Sequence, residues 1–264
     1  MKRKVRLKIG LALGSGGLKG FAHVGVLKIL EKNKIPIDYI SGSSIGAVIG
    51  SLYALSGDAK KVEEAALSKD LEQIFSLVGN PIIDSAMIDE TQVHAFLKKY
   101  IGTAKFSDTK IPFFATATSA KTGEPVYLNS GTLFRGVRAS MAIPPLFSPL
   151  KVKNDLLLDG AYSDPVPVRC LRQAGADIVI AINLENDYVF QWKRYRNVYG
   201  LSLRSVSIFI RSLATLSAQS ADVLIEPSVG GIGWQDIGKA KIIIAKGEKA
   251  TKFALGKIKE VLGE

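Results

Sequence analysis

The 264-residue chain carries two histidines and one cysteine, so covalent chemistry must be built mainly from hydroxyls, carboxylates and backbone groups. Gly42-Ser43-Ser44-Ile45-Gly46 has the form G-x-S-x-G. Where a strand turns sharply into a helix, this pattern projects the middle serine, here Ser44, clear of the chain. The glycines two places before and after it leave the necessary room. Unpaired N–H groups at a helix N-terminus also favour developing negative charge. Taken alone, the pentapeptide serves equally well as a Gly/Ser cap or a close strand-helix crossing.

A nucleophilic serine needs a base for its proton and donors for the oxyanion that forms on its substrate. His94 falls in a polar helical stretch, and His23 shares a face with Val26, Leu27 and Leu30; both read as structural. Asp159 closes the apolar run LLLD and precedes Gly160 and Ala161. The end of a strand is where open α/β sheets present functional groups, although Asp before Gly is also an ordinary turn cap. For donors, Gly14-Ser15-Gly16-Gly17-Leu18-Lys19-Gly20 offers successive N–H groups at a helix start, a geometry suited to any anion, phosphate included. The dinucleotide spacing G-x-G-x-x-G from Gly14 fails at Lys19. Residues 233–239 (GWQDIGK) match G-x-x-x-x-G-K, but Ala240 replaces the magnesium-holding hydroxyl and no clear strand precedes it, so the match reads as coincidence.

Strand patterns at 5–13, 37–41, 155–159, 176–184 and 221–227, and in PFFATATSA and EPVYLNSG, interleave with helical ones. The helices are expected in FAHVGVLKILEKN, from Ser44 to near Gly57, through GDAKKVEEAALSKDLEQIF, up to Gly102, from Thr132 to Ala142, and in GKAKIIIAKGEKATKFALGKIKEVL. The alternation predicts one α/β domain over 1–264, a parallel sheet with helices on both faces.

In order along the chain, GSGGLKG with FAHVGVLKIL, then GSSIGA, RASMAIPPLFSPL and LLLDGAYSDPVPV resemble the patatin-like phospholipase family. The likeness continues through ADVLIEPSVGGIGWQDIGKAKIIIAKGEKA and spans residues 7 to 255. It implies a three-layer α/β/α sandwich with a mostly parallel central sheet. The activity it implies is that of a serine lipid acyl hydrolase of phospholipase A or lysophospholipase type, with no cofactor or metal. By the matched motifs Ser44 is the nucleophile, Asp159 its base, and the N–H groups of Gly16, Gly17 and Leu18 the oxyanion hole. Gly42, Gly46, Lys19, Gly20 and Gly160 support them. The family's glycine loop usually has glycine where Ser15 stands, and a serine forced to positive φ there would cost about 1 to 2 kcal/mol. That departure leaves open a weakly active or inactive adaptor that binds membrane or a protein partner.

Formal charge is +11, which favours anionic partners without choosing among them. No nucleic-acid motif accompanies it, and an anionic membrane surface suits a lipid substrate. Residues 188–213 interleave Tyr188, Phe190, Trp192, Tyr195 and Tyr199 with Lys193, Arg194, Arg196, Arg204 and Arg211. This stretch reads either as an interfacial segment or as a core-packed helix with a basic outer face. No signal peptide or membrane span is expected, and the lone Cys170 suits a reducing compartment. The expected location is therefore the cytoplasm, with peripheral contact at the inner membrane face.

Overall fold

Strand β1 (Ile9–Leu13) is buried along its whole length, and its alternate residues enter two different cores. Ile9, Leu11 and Leu13 pack with Phe21, Leu27 and Ile49, whereas Ala12 packs with Val168, Leu171 and Ala214. A strand apolar on both faces must be covered on both. In the computed structural model, which describes residues 6–78, 90–144, 146–187, 198–233 and 236–263, α1 (Phe21–Lys32), α2 (Ile45–Ser56) and α9 (Ala240–Leu262) cover one face, and α7 (Val168–Gln173) and α8 (Val198–Ala218) cover the other.

The sheet is mixed, with a parallel centre. β1 pairs in parallel with β2 (Tyr39–Ser43) and β7 (Ile178–Ile182), β2 with β3 (Phe113–Ser119), and β7 with β8 (Val223–Ile225). Strands β4 (Pro125–Leu128), β5 (Leu150–Val152) and β6 (Asp155–Asp159) join by antiparallel pairing, giving the order β5-β6-β3-β2-β1-β7-β8 with β4 on β3.

Strand β3 has more partners than a strand has edges. Thr116 pairs with both Ser43 and Tyr127, so β2 and β4 lie on opposite edges. Ala117 pairs with both Asp159 and Val126, so β6 and β4 also lie on opposite edges. It follows that β2 and β6 share one edge. One runs parallel to β3 and the other antiparallel, so their C-terminal ends meet at Thr116 and Ala117. The strands that end at Ser43 and at Asp159 point at each other.

Several boundaries differ from the sequence expectation. Strand β2 lies two residues later than 37–41, because Gly42 and Ser43 still pair with Ala115 and Thr116. The helical run from Gly57 breaks at Leu67-Ser68 into α3 (Ala59–Ala66) and α4 (Lys69–Val78). These helices and α5 (Thr91–Tyr100) bury Leu71, Phe75, Phe96 and Leu97 in the α1–α2 core. The run Thr132 to Ala142 is helical as α6 only over Leu133–Ser140, and β5 has no counterpart among the strand patterns of the sequence. In α8, Ala214 and Ala218 face the core while Leu201, Ile208, Phe209 and Leu216 are exposed. Arg211 is turned to the Asn186 carbonyl at 3.1 Å. Residues Tyr188, Phe190, Trp192, Lys193, Arg194, Tyr195 and Arg196 lie outside the described residues. Among the described residues no helix is long and apolar enough to cross a membrane.

Helices α1 and α9 cross where two glycines meet. A Cβ on Gly247 would stand 2.0 Å from the Ala22 carbonyl oxygen, and one on Gly25 equally close to that of Ile244. Gly256, later in α9, has open space around it. Gly247→Ala should therefore destabilise by about 1 to 3 kcal/mol through overpacking. Gly256→Ala should stabilise by up to about 1 kcal/mol through helix propensity. Chemical denaturation of the two variants beside the parent checks the opposite signs.

Candidate active site

Where β2 gives way to α2, Ser44 adopts φ 57° and ψ −123°. A non-glycine residue in such a region stores about 1 to 3 kcal/mol, and the surroundings hold it there. A Cβ on Gly42 would lie 2.4 Å from the Gly46 carbonyl oxygen, and one on Gly46 would lie 2.1 Å from that of Leu13. The elbow closes this tightly only because both are glycine. The Ser44 carbonyl accepts the Ala47 N–H at 2.9 Å, starting the helix. Its own N–H donates to Ser140 Oγ at 2.9 Å. Ser43 is fully buried within the strand, whereas Ser44 is half-buried at the turn.

Asp159 is fully buried. Oδ1 accepts the Ala161 N–H at 2.8 Å, while Oδ2 has no hydrogen-bond partner among the described residues. The turn-cap reading and the base reading are thus compatible, one oxygen for each. Burial pushes the carboxyl up to about 7, opposed by the Ala161 N–H and by the nearby Ser44 hydroxyl. That hydroxyl favours the ionised carboxylate without completing a standard hydrogen bond to Oδ2. Loose geometry is usual before a substrate tightens a site. The Asp159 backbone is fixed at both ends, its N–H to the Ala142 carbonyl at 2.7 Å and its own carbonyl by Thr118 Oγ1 at 2.7 Å. A Cβ on Gly160 would strike the Thr116 carbonyl oxygen and Ser43 Oγ, which shows how close the two strand ends come.

The glycine loop follows β1. Gly14 and Ser15 donate their N–H groups to Ile182 and Pro165 at 3.1 and 2.8 Å. Next, Gly16 (φ 156°) and Gly17 (φ 55°) turn the chain into a short 3-10 segment, Gly17–Gly20. The first N–H groups of such a segment have no partner within it. Among the described residues no acceptor takes those of Gly16, Gly17 or Leu18. A Cβ on Gly20 would meet Ile45 at 2.3 Å, so the segment abuts the residue after Ser44.

Ser15 does not occupy positive φ; the left-handed positions fall on Gly16 and Gly17. The expected penalty for serine in this loop is therefore not incurred. Lys19 does not reach into solvent. Its Nζ donates to the Leu184 carbonyl at 3.1 Å and pairs with Glu185 at 2.7 Å, tying the loop to the end of β7. His23 is fully buried, and desolvation lowers it to about 4 against the hydrogen bond to Gly14. In this neutral ring Nε2 donates to the Gly14 carbonyl at 2.8 Å. His94 is half-exposed beside Glu90. Both histidines are thus engaged elsewhere.

Sequence reasoning missed Ser140, Ala142 and Thr118. The stretch RASMAIPP contains the first two, but a serine at the end of a short amphipathic helix carries no signal of the N–H it accepts from a distant turn. Among the described residues no three His, Cys, Asp or Glu side chains cluster as metal ligands.

A family model described as patatin-like phospholipase matches residues 11–171. The lysophospholipase nte1 of Aspergillus fumigatus is 35% identical over 181 residues, 67% of this chain and 12% of the fungal protein. An NTE family protein of Mycobacterium tuberculosis is 33% identical over 177 residues, 67% of this chain and 49% of that one. The chain thus matches about an eighth of the fungal relative's length and about half of the mycobacterial one's. Among solved structures, VipD from Legionella pneumophila superposes with a TM-score of 0.57 at 13% identity, over 97% of this chain and 67% of VipD. At that identity the likeness is one of fold.

The buried carboxyl makes stability depend on pH. Asp159 titrates near 7 when folded and near 4 when unfolded. Between these values the unfolded chain has released a proton that the folded chain still holds, so stability falls as pH rises. The loss is on the order of 4 kcal/mol and is complete above about pH 7. Asp164, also buried and raised to about 6 chiefly by desolvation, is common to both proteins and cancels in a difference. Relative to the parent, Asp159→Asn should thus gain on the order of 4 kcal/mol of stability between pH 4 and pH 8. Denaturant melts at the two pH values check this.

Proposed function

Since the chain belongs to the patatin-like phospholipase family, we propose that it is a serine hydrolase of lipid acyl esters working through a Ser44–Asp159 dyad. The observation that carries this reading is the meeting of β2 and β6 on one edge of β3, which sets a strained serine elbow beside a buried carboxyl with one free oxygen. A carboxylate of ordinary pKa is a weak base; one raised to about 7 is matched to neutral pH.

In the acylation step Ser44 Oγ bonds to the ester carbonyl carbon while its proton passes to Asp159 Oδ2. The carbonyl electrons move onto oxygen, which takes hydrogen bonds from Gly16, Gly17 and Leu18 N–H. Collapse breaks the bond to the alcohol, and Asp159 returns the proton to that leaving oxygen. Water, giving its proton to Asp159, then attacks the acyl carbon; collapse breaks the bond to Ser44 Oγ, Asp159 returns the proton to that oxygen, and the fatty acid leaves. Gly42, Gly46, Gly20 and Gly160 act by permitting the close approaches, and Lys19 by anchoring the loop. No histidine takes part.

Lysophospholipids and phospholipids are the proposed substrates, supported by the name of the fungal relatives. The exposed Leu201, Ile208 and Phe209 of α8 suit a peripheral approach to lipid. The adaptor reading rested on Ser15, and the ordinary backbone there removes that support.

Hydrolysis of a panel of lysophospholipids, diacyl phospholipids and short p-nitrophenyl esters tests the proposal. Ser44→Ala should fall to background. Asp159→Asn should lose at least about 100-fold in kcat, the lower range of a general base's contribution. Turnover retained by either variant contradicts the dyad.

A further inference from the structure

Ser140 closes α6 and is fully buried. Its Oγ accepts the Ser44 N–H at 2.9 Å, and two residues on, the Ala142 carbonyl accepts the Asp159 N–H at 2.7 Å. One three-residue segment therefore holds the backbone of both members of the dyad.

The need for this grip follows from the topology. Regular pairing of β2 with β3 stops at Ser43 and Thr116, and the edge beyond is occupied by β6. The N–H of Ser44 thus finds its acceptor on α6 instead. A buried N–H without an acceptor costs about 1 to 3 kcal/mol. Losing that acceptor would let the Ser43–Ser44 peptide rotate, relieving the strain at φ 57° and moving the Ser44 hydroxyl away from Asp159. The segment is itself anchored. Arg138, with a side chain only 4% exposed, forms an ion pair with Glu90 and donates to the Ser148 carbonyl at 2.9 Å.

We infer that Ser140 is a positioning residue for the hydrolase: its hydroxyl locks the Ser44 peptide in the conformation from which Oγ reaches Asp159. The inference rests on the assignment of Ser44 as nucleophile. Ser140→Ala removes the acceptor, Ser140→Cys fills the same space with a poor one, and Ser140→Thr retains an oxygen.

The test measures kcat and KM on p-nitrophenyl butyrate for these variants, the parent and Ser44→Ala, per folded molecule counted by circular dichroism. Ser140→Ala and Ser140→Cys should lose about 10- to 100-fold in kcat, as expected for a displaced nucleophile. KM should stay within about twofold, since ground-state binding is untouched, and Ser140→Thr should recover most of the loss. Parent-like kcat in both Ala and Cys variants, or a Thr variant no better than Ala, overturns the inference. A parent no faster than Ser44→Ala overturns the nucleophile assignment instead.

Discussion

Everything in the site depends on one edge of β3. That edge is shared by two strands running in opposite senses, and their C-termini stop at neighbouring residues, Thr116 and Ala117. Ser44 and Asp159 lie 115 positions apart in sequence, yet the shared edge places one just past the end of β2 and the other as the last residue of β6. Neither loop length nor local propensity produces that convergence; it requires β6 to run antiparallel to β3 on the edge that β2 joins in parallel. The antiparallel strands at this side of the sheet are thus a condition of the proposed chemistry.

Around that junction the chain maintains two unfavourable states. Ser44 is held at positive φ, and Asp159 is held where burial disfavours its charge. Each is stabilised by groups that do no chemistry: the close glycines of the elbow, the Ser140 hydroxyl, the Ala142 carbonyl and Thr118. The buried His23 does comparable work for the glycine loop by fixing the Gly14 carbonyl. Strain of this kind persists only where neighbouring contacts over-determine the geometry. It also explains how a histidine-poor chain can hold a carboxyl that burial pushes up to about 7.

Much of this was legible in the sequence. Apolar runs bounded by glycine and proline located the central strands, and the G-x-S-x-G spacing put forward Ser44, rather than Ser43, as the proposed nucleophile. The end of the run LLLD before Gly160, with the family resemblance, put forward Asp159 as its proposed base. Period alone could not show that Gly42 and Ser43 remain in the strand, because glycine weakens any strand pattern; nor could it show the break at Leu67-Ser68, where helical composition continues on both sides. The short β5 has too few residues for an alternation to register. Nor could period show which residues of the glycine loop take positive φ: Gly16 and Gly17 do and Ser15 does not, which depends on how the loop meets Leu184 and Ile45. The roles of Ser140 and Ala142 are long-range hydrogen bonds and leave no local trace.

On the proposed reading, the buried Asp159 activates Ser44. That activation is tested most directly by the rate at which a fluorophosphonate modifies Ser44 as a function of pH, followed by mass spectrometry. The rate should rise through a midpoint near pH 7 and stay low and pH-independent in Asp159→Asn. Equal labelling of parent and Asp159→Asn, or modification at a residue other than Ser44, would contradict it.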